Sequence, residues 1–311
     1  MSTAEAVLNE VLEAYDFGAP VVGAMRYGCG HINDTFCVHT QPVDDCCDCF
    51  ILQRMSAAAF KHPDQLMANI VGVTDYLGEK ITQAGGDRSR EAMEVIRTRK
   101  GEDYYTDSEG GAWRVFPFVD NTYCYQTAET PELFAASGRA FGKFQRMLNG
   151  YPAETLYETI PHFHDTEDRL AKLKAAIEAD TMGRVKECGP EIDFVMARQA
   201  DCSVALQALR DGVLPLRVTH NDTKLNNVLI DKATGEGLCV IDLDTTMPGL
   251  SINDFGDSIR FGANHCAEDE KDLSKMFIDL DLFDVYAKAF LEGAEGSSPM
   301  PRWSTCPGAP S

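Results

Sequence analysis

The first third of the chain alternates short apolar runs with polar turns. Apolar residues recur at helical spacing over residues 7–15 and again over residues 66–77, which predicts two helices. Strand-like stretches flank a glycine turn at residues 28–33, and residues 50–54 and 113–119 have the composition of further strands. Up to about residue 118 we therefore expect a sheet with one or two helices.

From Pro131 onwards the pattern becomes mainly helical. Helices are predicted over residues 131–148, 166–179, 191–209 and 283–291, and short apolar strands over residues 216–219, 227–230 and 238–243. Pro131 and Pro190 stand where a helix can begin. The sequence thus predicts an α+β fold in two lobes, a sheet-rich N-lobe at residues 1–118 and a mainly helical C-lobe at residues 119–293, with a cleft between them.

Composition narrows the classes of partner. The chain has 311 residues, 44% of them apolar and 25% charged, as in an ordinary soluble globular protein. Its formal net charge of −21 repels nucleic acids and anionic membranes, so we expect neither as a partner. Because ATP is also an anion, nucleotide binding would need a metal ion and local positive groups. The sequence does not indicate an oligomeric state.

The start and the cysteines point to a reducing compartment. Acidic residues interrupt the first 17 residues, and we find neither the basic start nor the unbroken apolar run of a signal peptide. We therefore expect a cytoplasmic protein whose 11 cysteines are reduced thiols. Cys46, Cys47 and Cys49 lie in one acidic turn without a distant partner pair, which disfavours a zinc site. Residues 294–311 are rich in Pro, Gly and Ser and predict a disordered tail.

The strongest chemical signal begins at His220. Asp222 follows it by two residues, Asn227 by seven, and Asp242 stands at the end of the next apolar stretch. Phosphoryl transfer needs a carboxylate that orients or deprotonates the attacking hydroxyl, and an amide and a second carboxylate that hold Mg²⁺. We assign the first role to Asp222 and the metal to Asn227 and Asp242. Asp244, on the same side of an expected strand, would take a second metal or a water.

A pair of carboxylates can also hydrolyse glycosides. Asp242 and Asp244 would be that pair here. This interpretation leaves His220, Asn227 and the glycine turn unexplained, so we reject it.

These motifs resemble the aminoglycoside phosphotransferase and choline kinase superfamily, and more closely the N-acetylhexosamine 1-kinases. The similar blocks are RVTHNDTKLNN at residues 217–227, GHIN at 30–33, GGAWRV at 110–115, HFHDT at 162–166 and DFGDSIRFG at 254–262. They run in the family's order over about residues 20–293. The resemblance implies a protein-kinase-like fold, Mg²⁺ and ATP as cofactors, and phosphorylation of the 1-hydroxyl of N-acetylglucosamine or N-acetylgalactosamine.

The resemblance also implies where the nucleotide binds. The turn with Gly28, Gly30, His31 and Asn33 falls on the nucleotide loop, where glycine lets backbone amides approach phosphate. Phe118 and Val119 fall on the hinge that borders adenine. The place of the phosphate-binding lysine holds Gln53, with Arg54 beside it, and Arg54 has the charge. Asn69 is the nearest polar residue in the helix where an ion-pair partner would be expected.

Four further residues are candidates for the substrate site. His162, His164 and Asp165 can hydrogen-bond a sugar, or Asp165 can simply cap a helix. Arg260 can neutralise phosphate, or it can pair with an aspartate in residues 254–257.

Two alternatives to a sugar kinase remain. One is a kinase of another small hydroxyl compound, such as choline, homoserine or an aminoglycoside. The other is an inactive, truncated binder, because the relatives continue with helices beyond the point where this chain becomes rich in Pro, Gly and Ser.

Overall fold

The protein is represented by a computed structural model that describes residues 3–28, 32–42, 49–266 and 270–295. Gly30, His31, Cys46 and Cys47 lie outside the described residues. Of the predicted disordered tail at residues 294–311, the part from residue 296 onwards lies outside them too, and the prediction is wrong for Ala294, which is the buried last residue of a helix.

An antiparallel sheet forms the N-terminal part of the fold. Its five strands, in the spatial order β1-β2-β3-β5-β4, are β1 (Val21–Arg26), β2 (Asp34–Thr40), β3 (Cys49–Arg54), β4 (Tyr105–Thr106) and β5 (Ala112–Pro117). Neighbouring residues on a strand face opposite sides of the sheet. One face packs Val38, Leu52 and Val115 against helix α1 (Thr3–Glu13). Ile51 and Phe116 on the other face pack against helix α2 (Pro63–Gln83) and the C-terminal half.

The C-terminal half is mainly helical. Its helices and strands, with the short α3 that precedes them, are α3 (Arg88–Glu91), β6 (Thr122–Cys124), α4 (Pro131–Met147), α5 (Thr166–Ala179), α6 (Gly189–Ala197), α7 (Val204–Arg210), β7 (Arg217–Thr219), β8 (Val228–Asp231), β9 (Gly237–Val240), β10 (Met247–Gly249), α8 (Ser251–Gly262) and α9 (Leu280–Ala294). Strands β6, β8 and β9 form one small sheet, and β7 pairs with β10. No helix among the described residues is both long and apolar enough to cross a membrane.

The predicted α+β class is confirmed, with a sheet-rich N-terminal part and a helical C-terminal part. Helix α5 has the predicted bounds, and helices α4 and α6 have Pro131 and Pro190 in their first turns. The boundary between residues 118 and 119 stays a prediction.

One predicted helix is wrong. Residues 191–209 form α6 and α7, with a break at residues 198–203. Neither helix buries a residue, so no core face holds the segment in one straight helix. Asp201 and Ser203 lie in the break, and their side chains compete for backbone hydrogen bonds in the way that disfavours helix interiors.

Helices α4 and α9 approach each other through small residues. A Cβ atom at Gly142 would lie 2.8 Å from the backbone nitrogen of Ala294, and one at Gly138 would lie 3.1 Å from the carbonyl oxygen of Tyr286. Because backbone atoms cannot move aside as a flexible side chain can, glycine at these positions sets the distance between the two helices.

We expect Gly142→Ala to lower the free energy of unfolding by about 1–3 kcal/mol, since its methyl group must push α9 away from α4. Urea denaturation followed by circular dichroism measures the change. The control is Gly256→Ala on α8, where a Cβ meets no atom within 4 Å and alanine favours the helix. Equal effects of the two substitutions would contradict the close packing.

Candidate active site

The loop after β7 is held by one buried carboxylate. Asp254, on α8, is completely buried and accepts hydrogen bonds from the backbone amides of His220 at 3.0 Å and Asn221 at 2.8 Å. Gln145 on α4 donates a third at 2.5 Å. Burial nevertheless raises the pKa of Asp254 above its ordinary value. Asp254 therefore fixes the conformation of the loop through the backbone amides of His220 and Asn221.

His220 extends this hydrogen-bond network to Ile241, the residue that follows strand β9. Its Nε2 lies 2.9 Å from the carbonyl oxygen of Ile241, and its Nδ1 accepts a 3.3 Å hydrogen bond from the backbone amide of Asp222. A carbonyl can only accept and an amide can only donate, so both contacts are satisfied by a neutral ring protonated at Nε2. Phe141 and Phe144 pack edge-on against this buried imidazole.

Two residues of the site adopt left-handed backbone conformations. Asn221 has φ 67° and Asp242 has φ 59°. The side-chain amide of Asn221 donates to the carbonyl oxygens of Thr219 at 3.2 Å and Thr245 at 2.8 Å, which offsets the strain. Such strained positions are concentrated at functional sites.

The predicted strand through Asp242 and Asp244 is wrong. Strand β9 ends at Val240, Asp242 is left-handed, and Leu243–Thr245 form a single 3-10 turn. The left-handed residue reverses the chain, so the two carboxylates do not share a strand face. Short apolar runs do not reveal such a turn because its cause is the fit to the loop after β7.

Asn227 connects the loop after β7 to the chain around Asp242. Asn227 donates to the carbonyl oxygen of Asp222 at 2.8 Å and to its carboxylate at 3.2 Å. The amide of Ile241 donates to the carbonyl oxygen of Asn227 at 2.9 Å, which brings Asp242 beside the loop. Burial, reinforced by the charges of Asp244 and Asp222, raises the pKa of Asp242 to about 6.

This oxygen set fits a magnesium ion. Hard divalent cations prefer carboxylate and amide oxygens, and a cation here would offset the repulsion that raises the pKa of Asp242. The residues suited to hold it are Asp242 and Asn227, as the sequence predicts.

Asp244 instead faces the N-terminal sheet. Its Oδ2 accepts a 2.6 Å hydrogen bond from Asn33, and its Oδ1 lies 2.5 Å from Nη1 of Arg114, a close ionic contact rather than an aligned hydrogen bond. Arg114 also donates to Oε1 of Gln53 at 2.9 and 3.1 Å. Asn33 accepts a 3.0 Å hydrogen bond from the amide of Ser56. The nucleotide-loop turn and β5 are thus tied to the C-terminal half.

Arg54 lies on the other face of the sheet from Gln53 and Arg114. Its guanidinium is 5.8 Å from the ring of Trp113, and a Cβ at Gly111 would meet both Arg54 and the carboxylate of Asp107. Of these two arginines, Arg114 is the one that contacts Asp244 in the turn after β9.

The remaining nucleotide candidates among the described residues are Phe118, Val119 and Gly28. The amide of Phe118 donates to the carbonyl oxygen of Cys49 at 2.9 Å, and its ring packs edge-on against Tyr27. The carbonyl oxygen of Val119 accepts a 2.8 Å hydrogen bond from Thr122. Gly28 has φ 80°, a conformation that favours glycine.

The substrate candidates divide into two groups. Nε2 of His164 lies 3.2 Å from the carbonyl oxygen of Asn221, next to the catalytic loop. His162 is exposed and pairs with Asp165 at 3.0 Å, and Asp165 caps α5 by accepting from Asp168. Only His164 is therefore in direct contact with the loop.

Arg260 has a structural partner. It donates to Oδ1 of Asp257 at 2.8 and 3.0 Å, while Oδ2 of Asp257 accepts a 2.9 Å hydrogen bond from the amide of Thr223. This contact is the aspartate pairing that the sequence left as an alternative, and Asp257 in turn supports the loop after β7.

Arg114 and Lys224 were not assigned a role from the sequence. Nζ of Lys224 lies 3.5 Å from Oδ1 of Asp222. The position of Lys224, two residues after Asp222, is the feature of the sequence that could have indicated this contact. The signal for Arg114 was a cation in an apolar strand, which must find a partner if it is buried.

Several solved structures share this fold. An amicoumacin kinase in complex with AMP-PNP, Ca²⁺ and Ami is 15% identical with a TM-score of 0.56, and the match covers 96% of this chain and 79% of that one. A spectinomycin phosphotransferase in complex with AMP is 13% identical with a TM-score of 0.55, with coverage of 96% and 83%. An aminoglycoside 2'-phosphotransferase in complex with GDP is 10% identical with a TM-score of 0.53, with coverage of 94% and 81%.

The sequence itself matches a family profile. The profile is APH, described as the phosphotransferase enzyme family, and the match extends over residues 28–289, which is most of the chain. It includes the glycine turn, the braced loop after β7 and the turn at Asp242. The chain therefore belongs to the phosphotransferase enzyme family.

Proposed function

We propose that this chain is an ATP- and Mg²⁺-dependent kinase that phosphorylates the 1-hydroxyl of N-acetylglucosamine or N-acetylgalactosamine, giving the sugar 1-phosphate. The observation that supports a kinase is the pairing of Asp222 and Asn227 in a loop held by buried Asp254, with the chain before Asp242 hydrogen-bonded to Asn227. Sugar specificity is supported by the resemblance of the blocks at residues 162–166 and 254–262. A cytoplasmic location and a role in carbohydrate metabolism follow as predictions.

Asp222 orients the sugar hydroxyl and accepts its proton. The hydroxyl oxygen forms the new bond to the γ-phosphorus, the bond from that phosphorus to the oxygen of ADP breaks, and the proton passes to the carboxylate of Asp222. The amide of Asn227 donates to this carboxylate and fixes its orientation. Lys224, 3.5 Å from the same carboxylate, brings a positive charge to the place where the transferred phosphoryl group gathers negative charge.

Asn227 and Asp242 are the residues that would hold Mg²⁺. When bound, Mg²⁺ offsets the charge of the phosphate oxygens. Asp242 keeps an exposed surface, but loss of hydration around its carboxylate and the neighbouring carboxylates raise its pKa, so a nearby cation would favour the ionised form. We assign Asp244 to the Arg114 contact rather than to a second metal.

The nucleotide lies between the sheet and the C-terminal half. Gly28, Gly30, His31 and Asn33 provide the loop over the phosphates, and Phe118 and Val119 border the adenine. Support comes from fold neighbours whose structures contain AMP-PNP or AMP. A further neighbour contains GDP, so GTP belongs in every nucleotide comparison.

His164 is the best-placed residue for the sugar. It contacts the carbonyl oxygen of Asn221, one residue before the catalytic Asp222. His162 and Asp165 stand on the rim beside it, and Arg260 acts through Asp257.

A second candidate function is phosphorylation of another small hydroxyl compound, such as an aminoglycoside, choline or homoserine. The net charge of −21 favours a cationic substrate, and fold neighbours include spectinomycin and aminoglycoside phosphotransferases.

We expect ATP consumption by the purified chain with N-acetylglucosamine or N-acetylgalactosamine, because the proposed mechanism has the sugar 1-hydroxyl next to Asp222. A coupled ADP assay compares both sugars with choline, homoserine and an aminoglycoside, and ³¹P NMR identifies the product. Turnover only with a cationic compound would favour the second candidate. Nucleotide binding without turnover on any acceptor would favour an inactive binder.

We expect Asp222→Asn to lower kcat about 10²–10⁴-fold, since the amide cannot accept the hydroxyl proton. The matched control is Asp211→Asn, which removes an exposed carboxylate at the end of α7. Thermal melting of both variants checks the fold. Wild-type turnover in Asp222→Asn would remove this residue from the mechanism.

Arg114 and Arg54 are distinguished by the same substitution at both positions. We expect Arg114→Lys to raise the KM for ATP about 10-fold or more, because lysine cannot contact Asp244 and Gln53 together. Arg54→Lys should change it by no more than about 2-fold, since Arg54 lies on the opposite face. The reverse order would assign the phosphate contact to Arg54. Unfolding curves separate lost binding from lost stability.

A further inference from the structure

Two thiols and an imidazole meet on one face of the N-terminal sheet. Cys37 and His39 are two residues apart on β2 and so face the same side, and Cys49 on β3 is the register partner of His39. The Sγ atoms of both cysteines and a ring nitrogen of His39 all lie within 4.8 Å of one another. Sγ of Cys49 is 3.2 Å from Nδ1 of His39.

These separations are close to those of a zinc site. With Zn–S near 2.3 Å and Zn–N near 2.0–2.1 Å, tetrahedral ligand atoms stand about 3.4–3.8 Å apart. Rotamer adjustments of less than about 1 Å at the far pair would satisfy this geometry. The strand backbone need not move, because the register already places the three side chains together.

The burial of the three residues suits a tightly held ion with one open position. Cys37 is 6% exposed, and His39 and Cys49 are half-buried. Soft thiolates and imidazole select zinc over magnesium, so the cluster and the oxygen site at Asp242 prefer different metals.

We propose that Cys37, His39 and Cys49 bind one Zn²⁺ ion, with water as the fourth ligand. Both thiols lose their protons to solvent as the Zn–S bonds form, and neutral His39 supplies a ring nitrogen. From the sequence alone, a zinc site formed by Cys46, Cys47 and Cys49 in one turn is disfavoured. The fold instead brings Cys49 to residues ten and twelve positions earlier.

The ion would join elements that border the cleft. Gln53, which accepts from Arg114, lies on the same face of β3 as Cys49, four residues further along the strand. The carbonyl oxygen of Cys49 accepts from the amide of Phe118. Zinc would therefore fix β2 and β3 to each other and hold the attachment point of Phe118, whichever substrate the enzyme uses.

The test is zinc binding by the full chain, freed of metal and kept reduced. Competition with a chromophoric chelator in millimolar Mg²⁺ should give one Zn²⁺ per chain, and Co²⁺ should give thiolate charge-transfer absorption. At 100 times Kd, Zn²⁺ should raise the Tm by roughly 5 °C. Cys49→Ser and His39→Asn should each weaken Zn²⁺ binding at least about 100-fold, because loss of an outer-shell partner alone costs 10–100-fold.

Matched controls are Cys202→Ser and His265→Gln, whose residues lie outside the cluster and should leave Zn²⁺ binding unchanged. Melting curves of the metal-free variants show that each is folded. The proposal is overturned if the chain binds no stoichiometric Zn²⁺, or if His39→Asn binds it as tightly as the wild type. It is also overturned if a Cys46→Ser/Cys47→Ser variant loses the ion while His39→Asn keeps it, since the site would then be the turn.

Discussion

The burial of the Asp254 carboxylate is the constraint on which the active site depends. A carboxylate removed from water must recover its lost hydration from N–H donors. Two of these donors are the consecutive backbone amides of His220 and Asn221. Consecutive amides can both reach one carboxylate only if the backbone turns sharply between them. The left-handed conformation of Asn221 follows from that turn. The cost of burying one charge thus selects the shape of the loop that carries Asp222.

Polar contacts then extend from this loop in both directions. His220 connects the loop to the strand before Asp242, and Asp257 receives the amide of Thr223 from the other side. The turn after Asp242 brings Asp244 to Arg114 on β5. The loop with Asp222, the turn with Asp244 and strand β5 are far apart in sequence, and these polar contacts join them. Each member is held because its partners would otherwise be unsatisfied.

The sequence predicts the parts of this arrangement that local patterns encode. Apolar periodicity located α5 and the order of the lobes, and the spacing from Asp222 to Asn227 indicated the catalytic loop. The sheet face on which a side chain lies, and the residue that it contacts, were harder to predict. Whether Gln53 or Arg54 faces the cleft depends on strand register, where a shift of one residue exchanges the two faces. The pairing of Arg114 with Asp244 joins residues far apart in the chain, and neither local pattern contains the other. The single helix predicted at residues 191–209 is instead divided into α6 and α7, because neither helix has a buried face.

The contact between Arg114 and Asp244 also bears on how the two halves of the enzyme respond to ionic strength. Its side chains are 2% and 6% exposed, whereas the pair between Arg210 and Glu167 is 49% and 36% exposed. Dissolved ions screen charges that they can approach, and they reach a buried pair poorly. Rising salt should therefore loosen the surface pairs first and leave the sheet attached to the turn at Asp242. The contact between the sheet and this turn would therefore persist at salt concentrations that screen the surface pairs.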